Sequence, residues 1–343
     1  MSLRNSNAKI KIPKLLRDKL ENKRILKILK KFEKSLKIEK GFAVAVSGGP
    51  DSLALAFLSK IYAIKKNLKV KFFIIDHHLR KDSTIEAKTV QKVLNQNLIK
   101  AEILSWKGKK PSKNIQSNAR KKRYELLFKQ CNKLNINNIL LGHHQDDYIE
   151  NFFIRILRGS GLKGLVSLDK KNKINEINLL RPLLDLKKED LIFLSKNVFD
   201  FYILDPSNDN EKFQRIMIRK LIKKLKNEGL NDKKFIQTMK NLKHSDNTIN
   251  FYVEENLKKN AMILDKNNKF ILNKNFFKQP YEVTFRSLSE LIRLSGKKYY
   301  PVRGRKLDKI ITNFEKNILF KTTLGGCIIE KVNQSIIISK ERQ

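Results

Sequence analysis

The run Phe42-Ala43-Val44-Ala45-Val46, followed at once by Ser47-Gly48-Gly49-Pro50-Asp51-Ser52, constrains the fold of this chain more than any other segment. Five apolar residues without alternation describe a strand buried on both faces, as in parallel sheets. The glycines make a tight turn, and a helix opens at Asp51-Ser52-Leu53. This order brings backbone N–H groups and the positive end of a helix dipole to one point, which suits a phosphate. Ser47 and Ser52 add hydroxyls, and Asp51 adds a carboxylate able to hold magnesium against phosphate oxygens. Neither Gly-Lys-Ser/Thr nor a dinucleotide fingerprint follows, so the turn is built for the pyrophosphate of a nucleotide by another route.

Downstream the pattern alternates. Apolar runs at Phe42–Val46, Val70–Ile75, Ala101–Ser105 and Asn138–Leu141 read as strands. Helical stretches at Ser52–Lys65, Ser83–Asn97 and Ile115–Asn132 lie between them, long enough for right-handed crossovers. The expectation is an α/β, Rossmann-like, doubly wound parallel sheet with ligands at the carboxyl ends of its strands. A further run, Ile177–Leu180, ends in Arg181-Pro182. Four segments are expected: a basic tail and helix (1–40), the catalytic α/β domain (41–210), a basic helical arm (211–260) and a small α+β C-terminal domain (261–343). In the arm, Lys212–Asn227 reads as one basic helix and Asn231–Lys259 as one or two more. In the last segment, helices are expected at Tyr281–Leu294 and Arg303–Asn313, and a hairpin pairing Leu319–Leu324 with Ile336–Ser339.

The chain carries 74 Lys and Arg against 34 Asp and Glu, a net charge of +40, which favours a polyanionic partner such as RNA. Lys, Asn and Ile are all abundant, so a compositional bias accounts for part of the excess. Cys131 and Cys327 are the only cysteines, without metal-ligand spacing. That excludes a disulfide scaffold and cysteine-bound clusters, and fits a reducing cytoplasm. No eighteen-residue apolar window and no signal core is present, so neither membrane nor secretion is expected.

Three further groups follow strand ends or helix faces. Asp76-His77-His78-Leu79-Arg80 closes the second strand, where Asp76 and His77 are placed to touch nucleotide and Arg80 substrate. Asn118-Ala119-Arg120 and Arg123-Tyr124 put two guanidinium groups one helical turn apart, able to clamp an anion. Gly142-His143-His144-Gln145-Asp146-Asp147-Tyr148-Ile149-Glu150 follows the fourth strand. There Asp147 and Glu150 share a helix face and suit magnesium or an ammonium group. Arg158-Gly159-Ser160-Gly161 is a basic glycine loop after that helix. Asp205 and Asn208 mark the end of the first domain, with Arg215 and Arg219 beyond.

SGGPDS, DHHLR, NARKKRY, GHHQDDYIEN, RILRGSGLKGL, RPLL and DPSN, in this order, resemble the tRNA(Ile)-lysidine synthetase family of N-type ATP pyrophosphatases. The resemblance is strong over 41–219 and weaker beyond, where LGGC at Leu324–Cys327 continues it. It implies that ATP adenylates the C2 oxygen of the wobble cytidine of a CAU-anticodon tRNA(Ile), and that free L-lysine then displaces AMP. On that resemblance Ser47, Gly48, Gly49, Pro50, Asp51 and Ser52 hold ATP, with Asp51 and Asp147 at a magnesium ion. Asp147 and Glu150 hold magnesium or the lysine ammonium. His143, Arg120 and Arg123, with Arg80, Asn118 and Arg158, face phosphate, lysine carboxylate or cytidine. No protein partner is implied. Tyr148 stands where many members have glutamine, and the region after the catalytic domain is short.

Overall fold

The computed structural model describes residues 11–79, 82–106, 108, 115–174, 176–203, 214–264, 269–298, 302, 304–316, 318 and 321–341, with backbone alone at 115–117 and 214–215. The chain divides into two compact units, 1–231 and 232–343.

The first unit begins with helices α1 (Lys14–Lys19) and α2 (Lys23–Ser35). Asn22 caps α2 by accepting from the N–H groups of Arg24 and Ile25. Ile25, Ile28, Leu29 and Phe32, three or four residues apart, form its buried stripe. Each such side chain contributes roughly 1.5–3 kcal/mol, enough to seat a helix whose other face is lysine. The alternating part follows as β1 (Phe42–Val46), α3 (Pro50–Lys66), β2 (Val70–Asp76), α4 (Ser83–Gln96), β3 (Ala101–Ser105), α5 (Ile115–Lys133), β4 (Asn138–Leu140), α6 (Gln145–Leu157), α7 (Leu162–Leu165), β5 (Lys171–Ile174), β6 (Ile177–Leu180), α8 (Lys188–Phe199) and α9 (Gln214–Asn227).

The sheet order is β3-β2-β1-β4-β6-β5. All neighbours are parallel except β5, which runs antiparallel to β6. Successive residues of the central strands enter different cores. Phe42, Val44 and Val46 pack with α2, α3 and α8, while Ala43, Phe73 and Ile139 pack with Leu127 and Cys131 of α5. Both faces are covered, hence the unbroken apolar runs. Strand β5 carries no such signal: Lys171-Asn172-Lys173 is a charged edge that pairs on one side only. Strand order reverses between β1 and β4, and the loops after both open at that crevice.

The second unit holds α10 (Asp232–Asn260), β7 (Ala261–Ile263), β8 (Phe270–Leu272), a 3₁₀ turn at Lys274–Lys278, α11 (Tyr281–Ser295), α12 (Gly304–Glu315), β9 (Lys321–Leu324), β10 (Cys327–Val332) and β11 (Ser335–Lys340). The stretch read as one or two helices is a single α10. Its antiparallel sheet runs β7-β8-β11-β10-β9, and Leu288, Ile292, Leu307 and Ile311 pack with Ile329, Ile336 and Ile338. The expected hairpin of 319–324 with 336–339 is incorrect. β9 pairs with β10, and β10 pairs with β11. Gly325 and Gly326, at φ +66° and +80°, turn the chain into β10, and Asn333 at φ +54° turns it into β11. Glu330 and Lys331 break the apolar run of β10, so the strand between the two recognised ones is hidden in the sequence.

Candidate active site

The loop between β1 and α3 is tied to itself and to its surroundings. Ser52 donates to the Gly49 carbonyl at 2.9 Å and accepts from the Ser47 N–H and hydroxyl at 3.1 and 3.2 Å. Ser52 is buried and its one hydroxyl proton closes the turn, whereas Ser47 is exposed at the mouth. Gly48 sits at φ +87°, and a Cβ there would lie 2.5 Å from Val90 Cγ2 and 2.9 Å from Ile203 Cδ1. Its carbonyl accepts from Ile203 N–H at 2.9 Å. Gly49 caps α3 with extended backbone, and Pro50 begins the helix, its carbonyl accepting from Ser195 at 2.5 Å. The first turn of α3 thus points toward the switch point with its backbone fixed.

Asp51 of α3 meets α6 across that crevice. His144, almost wholly buried, caps α6: its Nδ1 accepts from Asp146 N–H at 3.2 Å, and Asp147 Oδ2 accepts from His144 N–H at 3.0 Å. With Nδ1 the acceptor, the neutral ring carries its proton on Nε2. That atom lies 3.6 Å from Asp51 Oδ2 and 3.5 Å from Asp147 Oδ2. Burial raises the Asp51 carboxyl above its ordinary value and the Asp147 charge adds to this, opposed by His144 and Lys188. Asp51 Oδ1 is buried with no hydrogen-bond partner among the described residues. One turn along α6, Glu150 is buried and receives Arg219 of α9, Nε to Oε1 at 2.5 Å. Burial lowers the Arg219 pKa, but its hydrogen bond to Glu150 and the charges of Glu150, Asp147 and Asp51 leave it raised.

The end of β2 is built differently. Asp76 is buried and accepts from His78 N–H (3.0 Å), Ser83 (2.9 Å) and Thr84 (2.8 Å). Burial would raise its pKa, yet these donors together with the charge of His78 hold it below the usual value. Both oxygens serve the turn into α4, so Asp76 shapes this loop. His77 packs edge-on to Trp106 at 6.4 Å, and its Nε2 lies 3.5 Å from the Arg123 guanidinium. Burial, then the Arg123 charge, lowers its pKa to about 4, against a smaller opposing pull from Asp76.

Arg120 and Arg123, one turn apart on α5, take separate neighbours: Arg123 goes to His77, while Arg120 lies over the Tyr124 ring at 5.4 Å. Asn118 lies on α5 two residues before Arg120 and five before Arg123. His143 follows β4 directly, partly buried, next to the His144 cap. Arg158 caps the far end of α6, roughly 16 Å along the helix from Asp147, so it is not brought to the phosphate loop. Arg80, Asp205 and Asn208 lie outside the described residues.

Magnesium fits the donors present. Asp51 and Asp147 offer hard oxygen ligands beside the phosphate loop, and the buried, unpartnered Asp51 Oδ1 faces desolvation that a cation offsets. Among the described residues no group of three or more His, Cys, Asp and Glu is arranged for a metal. Two carboxylates plus phosphate oxygens are the donor set magnesium commonly takes.

Residues 18–225 match the PP-loop domain family. The tRNA(Ile)-lysidine synthase of Orientia tsutsugamushi is 34% identical over 306 residues, covering 87% of this chain and 69% of the relative. This chain belongs to the PP-loop family of tRNA(Ile)-lysidine synthases. The enzymes of the same name from the Wolbachia of Brugia malayi and from Rickettsia felis are 33% and 32% identical, each over 87% of this chain and over 70% and 69% of their own lengths. Among solved structures, the U34-tRNA thiolase NcsA from Methanococcus maripaludis is similar at TM-score 0.56 and 19% identity, over 64% of this chain and 80% of that one. That likeness shows the fold alone. Here Cys131 is buried in α5 with its thiol pushed up to about 12 by burial, and Cys327 lies buried in the other unit, its thiol also raised by burial.

Membership of the family supports ATP as the nucleotide of this loop. Among the described residues no helix is long and apolar enough to cross a membrane. The sequence motifs do not single out His144, Lys188 or the pairing of Arg219 with Glu150. An N-cap position directly before two aspartates was the available signal for His144. Nothing local marks Lys188 or Arg219, which reach the site from helices 137 and 168 residues after Asp51.

Proposed function

We propose that this chain ligates free L-lysine to C2 of the wobble cytidine in CAU-anticodon tRNA(Ile), through an adenylated cytidine, with release of pyrophosphate and AMP. The observation that carries this reading is the meeting of Asp51 and Asp147 at the crevice where the glycine loop opens. The loop amides and the α3 N-terminus bind the ATP phosphates, with Ser47 as the exposed hydroxyl. Asp51 and Asp147 hold magnesium, which neutralises charge on the departing pyrophosphate. Asp51 Oδ1, buried with no hydrogen-bond partner among the described residues, is the oxygen left for that cation.

The cytidine leaves the anticodon stack to enter the crevice. Asp147 and Glu150 orient the lysine amine, with Arg219 holding the Glu150 carboxylate in place. Arg120, Arg123 and His143 contact phosphate, the lysine carboxylate or the base, and Asn118, Arg158 and Arg80 are further substrate-binding residues on the family resemblance. Segments 211–260 and 261–343 supply further tRNA contacts through the lysine-rich surface, in a cytoplasmic enzyme.

Transfer of labelled lysine to an unmodified CAU-anticodon tRNA(Ile) transcript, with ATP and magnesium, tests this. Label in the RNA that disappears with Asp51→Ala supports substrate, nucleotide and loop together. Pyrophosphate release without label overturns lysine as the nucleophile, and neither signal overturns the enzymatic reading.

A further inference from the structure

We propose that His144 is a positioning residue that sets the spacing of the phosphate-loop carboxylate and the α6 carboxylate, a role that rests on the reading of Asp51 and Asp147 above. Three observations carry it. The imidazole is almost wholly buried at the crevice, its side chain 3% exposed. Its Nδ1 is spent on Asp146 N–H, so the ring is fixed in orientation and the Nε2–H is its only donor. That donor lies nearly equidistant from one oxygen of Asp51 and one of Asp147, which come from helices 96 residues apart in sequence.

The consequence is a division of labour between oxygens. Asp51 turns Oδ2 to the imidazole, and its buried Oδ1 has no hydrogen-bond partner among the described residues. Asp147 accepts the backbone N–H of His144 at 3.0 Å and has the ring Nε2 of the same residue 3.5 Å from the same oxygen. Two carboxylates facing one another in a half-buried crevice repel. A ring N–H placed between them lowers that repulsion and leaves their outer oxygens able to meet a cation. An N-cap alone needs no imidazole: Asn, Asp or Ser accepts the same helix N–H.

Two substitutions separate capping from positioning. His144→Asn keeps an acceptor for Asp146 N–H but loses the distal donor. His144→Gln restores an N–H at about the reach of Nε2. In the full chain the Asn variant is expected to melt within a few degrees of the parent. Its tRNA-dependent pyrophosphate release should fall about 10- to 100-fold in kcat. Without tRNA or turnover, the rise in melting temperature caused by magnesium with a non-hydrolysable ATP analogue should shrink. The Gln variant should recover part of both. A His144→Asn chain with parental kcat and parental magnesium response overturns the proposal, as does a folded His144→Gln chain no better than Asn. Asp51→Ala is the control: undiminished release there overturns the site reading itself, whereas its loss beside an unaffected His144→Asn overturns only the positioning role.

Discussion

Arg219 Nε donates to Glu150 Oε1 at 2.5 Å, joining α9 to the Glu150 face of α6 across 69 residues of sequence. Glu150 is 7% exposed and Arg219 35%. Removing the arginine therefore leaves a buried carboxylate unmatched, while removing both leaves no orphan. Arg219→Ala is expected to cost about 2 kcal/mol, or about 4–8 °C in the melting temperature of a unit this size. Glu150→Gln combined with Arg219→Ala should regain part of that loss. Thermal unfolding of the three chains checks it, and equal melting of parent and Arg219→Ala would show that the pair carries no stability.

Gly48→Ala should damage both fold and site. The position combines φ +87° with a Cβ 2.5 Å from Val90. An alanine there must strain its backbone and displace α4, at a cost of about 1–3 kcal/mol. Gly49→Ala is the contrast: a Cβ at Gly49 meets only Ser47 Oγ, at 3.9 Å. ATP affinity and melting temperature should both fall for the first variant, and melting should hold for the second. Equal melting in both would overturn the packing argument.

His77 gives a pH signature. Its pKa is about 4 in the folded chain against an ordinary 6.5, chiefly through burial. The unfolded chain therefore takes up a proton first as pH falls. The stabilising contribution is complete above pH 6.5 and is lost as pH drops toward 4. Between those limits the melting temperature of the parent should fall more steeply than that of His77→Gln. Parallel curves would assign the acid limb to other groups.

In the second unit, Arg286 donates to Asp246 at 2.6 Å with both side chains almost fully buried, and Asn250 accepts from the same nitrogen at 3.0 Å. This network ties α10 to α11. Asp246→Ala should destabilise the unit by about 3 kcal/mol, because a buried guanidinium loses one of its two carboxylate partners and keeps only Glu282, at 2.7 Å. Asp246→Leu with Arg286→Met should cost less than Asp246→Ala alone. Calorimetric transitions of the two chains decide it, and a larger loss in the double variant would refute the desolvation argument.

Much of the first unit was legible because its signals are short-range. Phe42–Val46 reads directly as a strand, since residues packed on both faces leave no polar gap, and Ala101–Ser105 reads as one despite its exposed Glu102 because Ile103 and Leu104 follow at once. Pro50 and Asp51 mark the start of α3, and the acids after His144 mark that of α6. Strands β5 and β10 were not legible. The first is an edge whose lysines look like a loop, and the second carries Glu330 and Lys331 within it.

The residue types of the site also came from sequence, through the ordered motifs, but their roles did not. Ser52, read as a phosphate donor, closes its own turn, and Asp76 holds the entry to α4. Arg120 and Arg123 share a helix face in sequence, yet only Arg123 reaches the end of β2. The order of strands, glycine turn and helix starts is written locally in the chain, because steric preference and hydrophobic period act within a few residues. That Asp51, His144, Asp147, Glu150 and Arg219 share one crevice emerges only when the chain is folded. Those distances depend on how α3, α6 and α9 pack around the switch point of the sheet, and that packing is set by contacts between residues far apart in the chain.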